Sequence, residues 1–168
     1  MTWLVPFVSA VSLLVTSVLG GSLATAAQPA GWQWPVVGPV IRAFDPPDSP
    51  YGSGHRGIDI ATSVGTAVVA PADGTVVFAG PVGGSLFLTI DHGGGLESTC
   101  SWLSALSVRK GDVVTGGQVV AASGWGHPTE PVPHLHFGVK LDDVYVDPLA
   151  YLSSPSIGGL IRLAPLAA

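Results

Sequence analysis

The chain is 168 residues long, room for one domain of ordinary size. Lys plus Arg number 6 against 11 Asp plus Glu, a formal net charge of −5, so the basic footprint that nucleic acid or an anionic membrane surface requires is missing. An apolar fraction of 47% excludes disorder for most of the chain, and a single cysteine, Cys100, excludes an intrachain disulfide and any Cys-rich zinc module.

Arg42 is the first charged side chain. Residues 4–19 are apolar apart from small hydroxyl residues, and Ala24-Thr25-Ala26-Ala27 has the small-x-small pattern that signal peptidases cleave. Residues 1–26 therefore read as a secretory signal peptide. A basic n-region is lacking, so an uncleaved membrane anchor through residues 4–19 and a buried N-terminal helix are the competing readings. Either of the first two places the remainder outside the cytoplasm, secreted or cell-wall associated. Cys100 is then expected to be an inert buried thiol. Residues 27–41 form a Pro/Gly/Trp-rich linker, where prolines forbid a helix. Trp32 and Trp34 are expected to pack this linker on the domain.

Beyond Gly57 the pattern is short apolar runs and tight turns. Candidate strands are 58–60, 67–70, 75–79, 86–90, 113–114, 118–121, 135–140 and 144–146, punctuated by Gly83-Gly84, Gly93-Gly94-Gly95 and Gly116-Gly117. Asp73-Gly74 between two apolar runs predicts a hairpin. No stretch after residue 28 keeps a helical period free of Gly and Pro for twelve residues. The fold class is all-β, a compact antiparallel sandwich or barrel.

Five histidines carry the chemistry, at positions 55, 92, 127, 134 and 136. His55-Arg-Gly-Ile-Asp59 sets an imidazole and a carboxylate four residues apart, an even offset that shares one face in an extended segment. His134-Leu-His136 has offset two, again one face. Two imidazoles and a carboxylate are the ligands zinc takes when one position stays open for water. Three ligands among four candidates leave one imidazole over for general base or hydrogen-bond duty. His92 reads as a solvated turn residue, and Asp91 and Glu97 as solvated turn charges. Arg56 reads as a surface residue, or else as a contact for a substrate carboxylate. His127 reads as a loop residue, with reach into the groove as an auxiliary imidazole the alternative.

Gly54-His55-Arg56-Gly57-Ile58-Asp59-Ile60 and Ala70-Pro71-Ala72-Asp73-Gly74-Thr75-Val76-Val77 resemble the lysostaphin/LytM-type (M23) zinc peptidases. So do Ile90-Asp91-His92-Gly93, Lys110-Gly111-Asp112, Pro133-His134-Leu135-His136-Phe137-Gly138 and Val146-Asp147-Pro148. The resemblance runs in order through residues 42–152, leaving 153–168 as a C-terminal tail. It implies an antiparallel β-fold with a groove that holds one Zn2+ and cuts peptide stems or crosslinks of peptidoglycan. It assigns His55, Asp59 and His136 as zinc ligands and His134 as a catalytic histidine. A monomer is expected, touching a membrane only if the N-terminal segment is not cleaved.

One departure matters. The family's Tyr-x-His-Leu segment, which supplies a second catalytic imidazole, is matched by Cys100-Ser101-Trp102-Leu103, as in actinobacterial variants that lack this histidine. Tryptophan offers one N–H and no acceptor. Losing one of two transition-state donors costs roughly 10²–10³ in rate if nothing replaces it. The alternative function is therefore a metal-retaining but catalytically weak module that binds peptidoglycan or regulates another hydrolase. Replacing His134 by alanine is expected to lower turnover while sparing zinc and folding.

Overall fold

A computed structural model of the chain describes residues 31–49, 52–128 and 130–153. The segment read as signal peptide or anchor, and the tail beyond Ser153, lie outside the described residues. Ten strands follow in order: β1 Val40–Arg42, β2 Ile58–Ala61, β3 Ala67–Val69, β4 Gly74–Val82, β5 Ser85–Asp91, β6 Leu96–Leu106, β7 Val113–Val114, β8 Val119–Ser123, β9 His134–Leu141 and β10 Val144–Val146. A 3-10 turn, Pro148–Ala150, closes the described chain, and no α-helix occurs among the described residues. Every strand pairing is antiparallel, along the path β1-β2-β9-β6-β5-β4-β7, with β10 on β9 and β8 joining β3 to β6. The all-β class expected from the sequence is the one observed.

Tight turns set the register. Gly83-Gly84 closes β4 onto β5 as a two-residue loop between Val82 and Ser85. Asp142 and Asp143, at φ 48° and 65°, do the same between β9 and β10, because short acidic side chains tolerate the left-handed region. Asp73-Gly74 is not a hairpin. β3 pairs with β8 instead, and Ala70 continues that pairing with its N–H on the Gln118 carbonyl at 2.9 Å. The Asp73 carboxylate accepts from the Gly116 N–H at 2.8 Å, so the dipeptide links two ladders.

The longest strand, β6, was not among the sequence candidates. It spans 11 residues in the middle of the sheet and pairs with β5 along one edge. Its other edge pairs with β9 up to Ser101 and with β8 from Leu103. The residue at the change of partner is Trp102, at φ 55°. On β5 the register steps from Leu86↔Leu103 to Phe87↔Ser101, so Trp102 faces no partner: it is a β-bulge, which turns its side chain out of the ladder.

Ile58, Ile60, Leu88, Leu135 and Phe137 form the centre of the core, with Cys100 beside them. Burial pushes the Cys100 thiol up to about 12, which makes it inert. Trp32 packs the linker onto this core, as the sequence led one to expect. It is 3% exposed, its backbone N–H donates to the Tyr151 carbonyl at 3.0 Å, and its ring lies 4.4 Å from that of His92.

His92 is therefore a fastener and not a solvated turn residue. Its Nδ1 meets the Asp73 carbonyl at 2.7 Å and its Nε2 the Ser98 hydroxyl at 2.8 Å. Burial lowers its pKa, outweighing the Asp73 carbonyl and the nearby carboxylates. The unfolded chain thus takes up this proton first as pH falls, so the stability His92 contributes is present above about pH 6.5 and is lost below it. Denaturant unfolding of the metal-free protein at pH 7 and pH 5 should show a smaller loss in His92→Gln than in wild type. Equal losses would exclude the role.

Candidate metal centre

β2 and β9 bring the two sequence motifs together. Asp59 stands directly opposite His136, and Ala61 opposite His134. β2 is buried at Ile58, Asp59 and Ile60 alike, so the Asp59 carboxylate enters the interior at 0% exposure. His55 arrives by a different route from the extended segment expected. It forms an isolated bridge with Asp45, and the chain bends through Arg56-Gly57 before β2 begins. Gly57 permits this bend against β9, since a Cβ there would strike the Phe137 carbonyl and come within 2.9 Å of His136 Nε2.

The donor atoms converge. His55 Nε2 lies 3.1 Å from Asp59 Oδ1 and 3.0 Å from His136 Nδ1, which is itself 2.9 Å from the same Oδ1. His55 Nδ1 is held 2.7 Å from the Ala43 carbonyl, to which it donates. The Nε2 of a neutral His55 then carries a lone pair aimed at a carboxylate oxygen, acceptor against acceptor. A cation between them resolves that conflict, and a backbone carbonyl on the far ring nitrogen is how ligating histidines are oriented. The residues fit a divalent metal. Burial raises the Asp59 pKa, but the imidazoles of His136, His55 and His127 packed around the carboxylate outweigh it and hold the carboxyl well below the usual range. Burial lowers the pKa of His136, against the pull of Asp59.

His127 joins this group. Its Nε2 is 2.8 Å from Asp59 Oδ2, and its ring is buried between loop and groove. The ligand atoms of His55, Asp59, His127 and His136 all lie within 4.8 Å of one another. His134 stands one step behind. It is fully buried, with Nε2 4.0 Å from Asp59 Oδ1, Nδ1 on the Val132 carbonyl at 2.8 Å, and Nε2 accepting the His127 N–H at 3.3 Å. Trp102 projects from its bulge between the two outer rings, 5.2 Å from His127 and 5.5 Å from His136.

The family model described as Peptidase family M23 matches residues 53–148. The chain belongs to peptidase family M23. It is 36% identical over 163 residues to an uncharacterized protein of Mycobacterium tuberculosis, covering 93% of this chain and 63% of that one. It is 34% identical over 147 residues to the murein hydrolase activator NlpD of Salmonella typhimurium, covering 86% of this chain and 37% of that protein. The M23 chain thus spans less than two thirds of the length of these relatives. Among solved structures it is similar to a zinc containing peptidase from Vibrio cholerae (TM-score 0.60, 29% identity, 71% of this chain and 39% of that one). It is also similar to the catalytic domain of the antimicrobial peptidase lysostaphin from Staphylococcus simulans (TM-score 0.57, 28% identity, 67% and 90%).

In this M23 domain the His/Asp cluster opens onto a groove of about 600 Å³. One wall is β6, where Glu97, Thr99 and Ser101 follow at offset two, and Lys140 and His136 of β9 stand opposite the first and last of them. Glu97 is therefore a groove residue and not a turn charge. Arg56 also lines the groove, its guanidinium donating to the Gly52 carbonyl at 3.3 Å. Arg42 adds a third cation to the lining. Sequence reasoning missed Glu97, Thr99 and Ser101 because it missed the strand. Once β6 is recognised, their period of two puts them on one face.

Proposed function

We propose that this M23 domain is a zinc-dependent endopeptidase, outside the cytoplasm, that hydrolyses peptide bonds of peptidoglycan. The observation that carries the reading is the convergence of His55, Asp59 and His136 on the groove floor with His134 beside them. His55, Asp59 and His136 hold one zinc ion. Zinc bound there supplies Lewis acidity toward a peptide carbonyl and toward water. His134 offers its Nε2 lone pair to a water proton when the His127 N–H releases it, and its Nδ1 stays tied to the Val132 carbonyl so that the ring cannot turn. Arg42, Arg56 and Lys140 outnumber the carboxylate of Glu97 in the groove lining and leave it net cationic, suited to the carboxylates of wall peptides. Similarity to a zinc containing peptidase, to lysostaphin and to a murein hydrolase activator supports metal, reaction class and substrate in turn.

The test is zinc content of the purified chain together with digestion of purified peptidoglycan, new peptide termini being identified by mass spectrometry. One zinc per chain and a new amino terminus at a defined bond are expected. Zinc without cleavage of any wall chemotype would favour a second reading, a metal-retaining module that binds peptidoglycan or activates another hydrolase. Trp102 at the place of an expected imidazole favours that reading. Export is tested separately: protein recovered outside the cytoplasm should begin at Ala27 or Gln28, whereas an intact Met1 in the membrane fraction would establish an anchor.

A further inference from the structure

We infer that His127 is a fourth metal ligand, so that the resting site is closed by protein donors; this rests on the zinc reading above. Sites that do chemistry keep three protein ligands and an open position, whereas four protein donors make a closed site. Here His127 Nε2 approaches the Asp59 oxygen that His55 and His136 leave aside, and all four donor atoms fall within one 4.8 Å cluster.

The loop that brings His127 in is built for this placement. Gly126, at φ 96°, lies flat on the His134 ring, where a Cβ would collide with the imidazole. That ring is fully buried and pinned through Nδ1 to the Val132 carbonyl, so it has no room to yield. The following residue then acts twice. Its backbone N–H occupies His134 Nε2, and its imidazole occupies the metal group. Trp102 supplies the wall behind, with its ring edge-on to His127 at 5.2 Å. A tryptophan at this bulge therefore has a positive use, as the surface against which the fourth ligand packs. Filling the open position and masking the general base are a single event, and both are reversed if the 124–128 loop lifts.

The deciding measurement is made on the full chain loaded with zinc. X-ray absorption at the zinc edge should show three imidazoles and a carboxylate oxygen in wild type, and two imidazoles in His127→Ala. Chelator competition should show zinc binding still one to one but weaker by roughly 10²-fold or more, since even a lost supporting partner costs 10–100-fold. His127→Gln keeps bulk and an N–H for Asp59 but is a poor zinc ligand, so an equal loss there separates ligation from packing. With cobalt in place of zinc, acetohydroxamate should alter the visible spectrum of both variants at concentrations that leave wild type unchanged. Two imidazoles plus a solvent oxygen in wild type, or unchanged affinity in both variants, overturns the inference while leaving a zinc peptidase intact. A wild-type chain that takes up no zinc overturns both.

Discussion

His136→Ala is expected to abolish zinc binding and all peptide cleavage while leaving a folded metal-free domain. The His136 ring faces the groove, with 13% of its side chain exposed, and the β9 ladder to β2 and β6 is made by backbone alone. Removing the ring therefore costs little of the fold. It does remove the one nitrogen that lies within 3.0 Å of both His55 Nε2 and Asp59 Oδ1. Ligand loss is also visible as lost stabilisation. At free zinc about 1,000-fold above Kd, binding contributes about 4 kcal/mol, which raises Tm by roughly 10–20 °C for a domain of this size. Wild type should show that rise and His136→Ala should not. Stoichiometric zinc in the variant would remove His136 from the ligand set.

The two motifs were legible because period-two geometry is local. His134-Leu135-His136 puts both rings on one face of β9 whatever surrounds it, and Asp59 falls opposite His136 across the ladder. The offset between His55 and Asp59 works for another reason, a bend over Gly57, which residue spacing does not encode. β6 escaped notice because its apolar contrast is low. Ser98 and Ser101 are as buried as Cys100 and Leu103, since the strand is flanked on both edges and pairs its polar groups with neighbours. Trp102 was legible as a departure from a family pattern. That it is a bulge with a left-handed backbone depends on the register of β5, a separate strand whose step between Leu86 and Phe87 leaves Trp102 unopposed.

The same limit explains His127. Nothing periodic links it to Asp59, 68 positions earlier; its place follows from Gly126 folding onto a ring that another strand has already buried. The family's three-ligand pattern says what the metal needs for chemistry. The loop of this chain adds a donor that the chemistry does not need, and that surplus is what separates a resting state from a working one.

His134 is where these two states part, and its replacement should lower turnover by about 10²–10⁴, the range for a lost acid–base group. The expectation that alanine would spare folding does not survive the burial seen here. His134→Ala leaves the Val132 carbonyl and the His127 N–H without their partner, at about 1–3 kcal/mol each, and opens a cavity besides. Its Tm should fall although its zinc content should not. His134→Gln retains bulk and hydrogen-bonding capacity, so its Tm should recover toward wild type while its turnover stays low. Turnover of His134→Gln within a few-fold of wild type would reduce His134 to a packing residue. Combining it with His127→Ala settles the sign of the loop's effect. If His127 closes the site, His127→Ala alone should raise turnover, because it frees the metal position and removes the imidazole that ties the loop to Asp59, although the backbone N–H of residue 127 that meets His134 Nε2 is retained. The gain should vanish in the double variant. If His127 instead carries protons in place of the missing imidazole, the single change lowers turnover and the double change lowers it further.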